Sequence, residues 1–214
     1  MDLPCRTDTF VGRAAELSAI EEALSSVIHR RKGIVLQGMP GSGKTQLALE
    51  YISRNYSRYS RIVWIEASTS ETVDQSFARC CQQIMIREGA PISGRQIFDD
   101  RFYVMDWLRH PRNRNWLMVL DSMDDLDQDQ NLPRYCRDLS FGSFIVTSTL
   151  SGMAKACDLQ FIVICGIEIQ AAKELLLLRA FGCPKNDAER HRLQEGKFVK
   201  HFPANFVPST ADLI

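Results

Sequence analysis

The chain has 214 residues, 45% hydrophobic and 24% charged, which at about 150 residues per domain describes one globular domain with an appendage rather than a disordered or fibrous chain. Its 26 basic and 26 acidic residues cancel, so nucleic-acid binding through phosphate electrostatics is not supported. No apolar run approaches the ~20 residues of a membrane span, and Met1-Asp2-Leu3-Pro4-Cys5-Arg6 lacks the apolar core of a secretory signal, so the chain reads as soluble and cytoplasmic.

From Glu16 to Ile28, the residues Leu17, Ile20, Leu24, Val27 and Ile28 recur at helical spacing. The run His29-Arg30-Arg31-Lys32 and then Gly33 read as the basic, glycine-capped end of that helix. Gly33–Gln37 is expected to be a short buried strand. A glycine-rich turn follows, then a helix carrying Leu47, Ala48, Tyr51 and Ile52 on one side. Arg61–Glu66 is a second strand, and Ser68 with Glu71 reads as a capping box. The helix it opens carries Val73, Phe77, Cys80, Cys81 and Ile84. Arg87 to Ile97 reads as a loop, and Asp99 to Arg109 as a helix.

Trp116–Asp121, Ser143–Thr147 and Gln160–Ile164 are three further apolar strands. Gln170–Phe181 is a helix ended by Gly182 and Pro184. Continuous apolar strands alternating with helices specify an α/β fold, a three-layer sandwich with a five-stranded, mainly parallel sheet covered on both faces. Function in such a sheet is expected where the strands' carboxyl ends meet the loops.

The cysteines, Cys5, Cys80, Cys81, Cys136, Cys157, Cys165 and Cys183, contain no C-x-x-C pair and read as small hydrophobes in a reducing compartment. His29, His110, His191 and His201 are dispersed and form no recognisable triad spacing.

The sharpest motif is Gly38-Met39-Pro40-Gly41-Ser42-Gly43-Lys44-Thr45, a full match to G-x-x-x-x-G-K-[ST]. Its glycines let successive backbone N–H groups turn toward an anion, and the following helix presents its positive end to the same place. Gly38, Pro40, Gly41, Ser42, Gly43, Lys44, Thr45 and the adjoining Gln46 are therefore the candidate phosphate-binding residues. Lys44 is placed to reach the β- and γ-phosphates, and Thr45 to bind Mg²⁺ through its hydroxyl. Asp121, at the end of an apolar strand, is the candidate second ligand of the ion. The acidic run after it does not fit a calcium loop, because Leu126 or Gln130 stands where the glycine is needed.

In order and spacing these features resemble the NB-ARC nucleotide-binding domain of STAND-type P-loop NTPases, especially fungal NLR-like proteins, over residues 8–190. Phe10-Val11-Gly12-Arg13 is similar to the family's N-terminal motif, whose backbone grips adenine. Tyr59 to Ala67 resembles its second strand, Trp116 to Asp125 its acidic strand, Gly142 to Thr149 its first-sensor strand, and Ala171 to Phe181 its closing helix. The resemblance implies binding of ATP or ADP with Mg²⁺, self-assembly through the nucleotide-binding domain, and a signalling role in immunity or cell death. It divides the chain into a lead of residues 1–9, a core of 10–190 and a divergent tail of 191–214. Effector and sensor domains are absent from the sequence given, which reads as an isolated nucleotide-binding module.

Two site residues depart from the family. Ser122 stands where an acidic residue or asparagine commonly follows the magnesium aspartate, so Asp124 or Asp125 must act as the catalytic base or hydrolysis is slow. Thr149 stands where the sensor arginine is usual. The leading expectation is a nucleotide-operated switch with slow or absent hydrolysis. An active AAA+-type ATPase or small-molecule kinase is the enzymatic alternative, and a non-hydrolysing interaction fragment the third.

Overall fold

The structure, a computed structural model, describes residues 3–25, 32–89, 100–125 and 131–181. These fall into two compact units, one comprising the residues up to Arg6 with Ala14–Cys165, the other Thr7–Arg13 with the residues from Gly166 onward.

In the larger unit, five strands form one sheet: β1 (Lys32–Gln37), β2 (Arg61–Glu66), β3 (Trp116–Asp121), β4 (Ser143–Ser148) and β5 (Gln160–Val163). The spatial order is β2-β3-β4-β1-β5, and every pairing is parallel. All six residues of β3 and of β4 are buried, as expected of strands covered on both faces.

Alternation along these strands feeds two apolar layers. Val35, Val63, Ile65, Met118, Leu120, Phe144 and Val146 share one cluster with α3 (Ser70–Glu88), α4 (Asp100–Arg109), α5 (Asn131–Asp138) and α6 (Met153–Cys157). The intervening residues Ile34, Leu36, Ile62, Leu117, Val119 and Ile145 are buried as well. On their side α1 (Ala14–Ser25) packs on β1, and α2 (Lys44–Asn55) on β4. The apolar spacing read from the sequence is the buried face of each helix: Leu17, Ile20 and Leu24 in α1, Leu47, Ala48, Tyr51 and Ile52 in α2, and Val73, Phe77, Cys81 and Ile84 in α3.

Two pieces of local chemistry hold the sheet's amino-terminal side. Trp116 is fully buried, donates its indole N–H to Leu108 O at 3.1 Å, and stacks edge-on with Phe144 at 5.3 Å. Gly142 adopts φ 72°, and a Cβ there would run into the Trp116 indole, so no other residue fits without displacing that ring.

Several local expectations are corrected. Gly33 lies inside β1, as the strand reading has it, and does not cap the first helix; a Cβ on it would crowd Leu159 Cδ2 at 2.8 Å and Phe144 Cβ at 3.0 Å. Its role is close packing. The capping box of α3 sits one residue later than Ser68: Thr69 Oγ1 accepts from Thr72 N, and Thr69 N donates to Thr72 Oγ1, both at 3.1 Å. Arg87 belongs to α3, which ends at Gly89 in the left-handed conformation. Helices α5 and α6 were not anticipated. The end of the first helix at Val27 and Ile28, most of the basic run, the loop to Ile97, the Gly182–Pro184 stop and the tail lie outside the described residues.

The smaller unit contains α7 (Ile169–Phe181) and the Thr7–Arg13 segment. Arg179 Nη2 donates to Thr7 Oγ1 at 2.8 Å, and Gly12, at φ 72°, leaves room only for close contact with Ala171 Cβ. Among the described residues no helix is long and apolar enough to cross a membrane.

Candidate functional site

The candidate site is built at the carboxyl ends of β1, β3 and β4, all within the larger unit. The loop Gly38–Gly43 leaves β1 and delivers the chain into α2. Gly38 N donates to Ser148 O at 3.1 Å, Ser42 N to Met39 O at 3.2 Å, and Leu47 N to Gly43 O at 2.9 Å. Gly41 and Gly43 take φ 76° and 89°, values that L side chains rarely adopt.

The glycines differ in what surrounds them. A Cβ on Gly38 would strike the Ile164 carbonyl oxygen, and it would lie 2.9 Å from Ser42 Oγ. A Cβ on Gly43 would meet nothing within 4 Å. The loop is therefore tight at its base and open at its mouth, beside the N-terminus of α2. Lys44 is buried, and its Nζ donates to Gly38 O at 2.8 Å and Met39 O at 3.0 Å. The ammonium thus arches over the loop, held by two of the loop's own carbonyls.

Asp121, at the end of β3, is buried. Thr45 Oγ1 donates to Asp121 Oδ1 at 2.9 Å, and Thr147 Oγ1 donates to the same oxygen at 2.6 Å. Burial pushes the Asp121 carboxyl above its ordinary value; the hydroxyls of Thr147 and Thr45 pull it back, and the Glu66 carboxylate pushes it up. Glu66 is the register partner of Asp121 across β2 and β3.

Ser122 turns the chain at φ 58°. Its N–H donates to Thr147 Oγ1 at 2.8 Å, and Met123 N donates to Thr147 O at 2.9 Å. Asp124 is exposed, and its Oδ1 accepts from Thr149 N at 2.6 Å and lies 3.2 Å from Ser148 Oγ. Asp125 is exposed, next along the same turn. Gln46 Nε2 donates to Cys5 O at 3.2 Å. Pro40 is exposed on the loop, while Ser42 is half-buried.

Thr45, Asp121, Lys44 and the glycine loop thus come together as the motifs require. Phe10, Val11, Gly12 and Arg13 belong to the other unit, where Gly12 and Arg13 are both left-handed, at φ 72° and 60°. Thr147 and Glu66 were missed by sequence reasoning. Thr147 follows the continuous apolar run Phe144–Val146 in a buried strand, and only the strand order reveals that it faces Asp121.

The residues fit a phosphate and a hard cation. The open mouth at Gly43, a buried ammonium and a helix N-terminus suit an anion, and an oxygen-only pair of Thr45 hydroxyl and Asp121 carboxylate suits Mg²⁺.

A parallel five-stranded α/β sheet with a glycine loop between its first strand and the next helix is the fold of P-loop NTPases. Three solved structures share it. Cdc6p from Pyrobaculum aerophilum aligns over 84% of this chain and 52% of its own length, at 15% identity and TM-score 0.59. The Walker-type ATPase of Pyrococcus abyssi aligns over 89% and 63%, at 13% identity and TM-score 0.56. The Aeropyrum pernix ORC2 protein, solved in ADPNP–ADP complexes, aligns over 85% and 54%, at 15% identity and TM-score 0.53. The chain therefore spans between about half and two thirds of those proteins. At such identities the likeness is one of fold. No family model and no curated protein sequence matches the chain, and the narrower NB-ARC resemblance rests on the sequence motifs.

Proposed function

We propose that this chain is an NB-ARC-like nucleotide switch module that binds ATP or ADP with Mg²⁺ and hydrolyses slowly. The observation that carries the proposal is the convergence on one spot of the Lys44 ammonium, the open mouth at Gly43 and the Thr45–Asp121 pair at 2.9 Å. Lys44 and the loop N–H groups would hold the phosphates, and Thr45 and Asp121 the ion, which would supply charge neutralisation.

Slow turnover is supported by the surroundings of Asp121. Ser122 carries no carboxylate, and of the following acids Asp124 is engaged by the Thr149 amide. A switch tolerates this, because its output depends on which nucleotide is bound rather than on turnover. In the same reading, Phe10–Arg13 bind the adenine side, self-assembly runs through this domain, and the output is immune or cell-death signalling in the cytoplasm.

The test is calorimetric titration of ADP and ATP, with and without Mg²⁺, into wild type and Lys44→Ala. Micromolar affinity in wild type and a loss of about 30-fold or more in Lys44→Ala are expected, equivalent to one or two charge-assisted hydrogen bonds. Absence of binding to the folded wild-type chain would overturn the proposal. Rapid turnover, on the ~1–100 s⁻¹ scale of kinases, would favour the enzymatic alternative.

A further inference from the structure

One peptide group joins the two halves of the candidate site. The carbonyl of Ser148 accepts from Gly38 N at 3.1 Å, at the base of the glycine loop. The amide of the next residue, Thr149, donates to Asp124 Oδ1 at 2.6 Å, in the turn that follows Asp121. Both bonds belong to the single planar unit between residues 148 and 149, so displacing either end rotates or shifts the other. The same strand end also reaches Asp121 directly, through Thr147 Oγ1 at 2.6 Å.

Ser148 does not provide an alternative tether to Asp124. Its hydroxyl has one proton, and the nearer acceptor is Met123 O at 2.7 Å, against 3.2 Å to Asp124 Oδ1. The oxygen of that hydroxyl in turn accepts from Leu150 N at 3.0 Å. The Thr149 amide is therefore the bond through which Asp124 acts.

We infer that Asp124 is a positioning residue, whose carboxylate oxygen fixes the Ser148–Thr149 peptide and thereby couples the glycine loop to the cation-binding turn at Asp121. This inference rests on the proposed nucleotide site. It assigns to Asp124 a task that needs an acceptor oxygen and no proton transfer. An asparagine side chain keeps such an oxygen at the same place, whereas alanine removes it.

Two readouts on the full chain separate this role from that of a base and from a merely structural one. The first is hydrogen exchange at the Thr149 amide without nucleotide. The second is the gain in ADP affinity on adding Mg²⁺, relative to EDTA. In Asp124→Ala, Thr149 exchange is expected to accelerate and the Mg²⁺-dependent gain to fall by about tenfold, the usual scale for loss of a group orienting a metal ligand. ADP affinity in EDTA falls as well, because the same peptide anchors Gly38 N at the base of the glycine loop. In Asp124→Asn both quantities return to within about twofold of wild type.

Unchanged Thr149 exchange in Asp124→Ala overturns the inference, as does an Asp124→Asn variant as impaired as Asp124→Ala. If wild type binds no ADP, the nucleotide reading fails, and Thr149 exchange alone still decides whether Asp124 holds the peptide.

Discussion

The hydroxyl of Thr147 bonds in both directions: it donates to Asp121 Oδ1 at 2.6 Å and accepts the N–H of Ser122 at 2.8 Å. One side chain on β4 thus fixes both the acid and the turn that follows it. Thr147→Val removes donor and acceptor together and leaves a buried carboxylate one bond short. We expect a stability loss of about 1–3 kcal/mol and weaker Mg²⁺-dependent ADP binding. Urea unfolding and calorimetry check this; wild-type values in both would show that Thr147 does not orient Asp121.

Gly38 and Gly43 should respond differently to alanine. A methyl at Gly38 meets the Ile164 carbonyl, while at Gly43 it meets open space but sits at φ 89°. Gly38→Ala is expected to suffer both overpacking, about 1–3 kcal/mol, and loss of phosphate binding. Gly43→Ala carries backbone strain, of order 1–3 kcal/mol, and a methyl in the space assigned to phosphate. Thermal unfolding with ADP titration tests the pair. Full ADP affinity in Gly43→Ala would mean that the open mouth is not where phosphate binds.

Glu50 supplies a pH signature away from the site. It is buried on α2, with Arg6 Nη1 at 2.6 Å and Arg54 Nε at 2.8 Å. Burial raises its carboxyl, and the two guanidiniums more than offset this, so its folded value lies below the ordinary 4.5. A depressed acid contributes stability above its unfolded value, and that contribution disappears as pH falls through the folded one. Glu50→Gln should therefore cost about 1–2 kcal/mol at pH 7, with the difference from wild type closing as the pH falls from 4.5 through the lower folded value. Unfolding midpoints across pH 3–8 provide the measurement; a difference independent of pH would count against ionic stabilisation.

Gly142 tests the packing of the segment that leads into β4. Alanine there combines a left-handed φ of 72° with collision against Trp116. The expected loss is about 3 kcal/mol or more, accompanied by a change in tryptophan emission. Denaturant midpoint and fluorescence should move together, and a wild-type midpoint would contradict the tight fit.

All five strands were legible in the sequence within a residue or so, because each is a continuous apolar run bounded by turn residues. That Lys44, Thr45 and Asp121 lie close together was legible for a different reason: the glycine motif places the first two where a helix opens, and the apolar run before Asp121 places it at a strand's carboxyl end. What escaped was non-local or short. α5 and α6 are brief, and α5 carries Pro133 in its first turn, so neither has the length for a helical period to show. Gly33 looked like a cap because the basic residues before it suit a helix end, but contacts with Leu159 and Phe144 decide its role. Thr147, Glu66 and the Asp124–Thr149 bond follow from strand order, which no local pattern encodes.

The strand order also bears on how the molecule is made. β1, the strand that carries the glycine loop, pairs with β4 and β5. Lys32 finds its partner in Ser143, and Gln37 in Ser148 and Val163. During synthesis the loop's anchoring strand therefore waits for the last third of the described chain before its ladder bonds can form. Pairings so distant in sequence must close a long loop before any contact rewards it, which slows folding. The glycine loop's anchoring strand is thus paired late, and a nascent chain ending before β4 would hold the full glycine motif on a strand without either of its ladder partners.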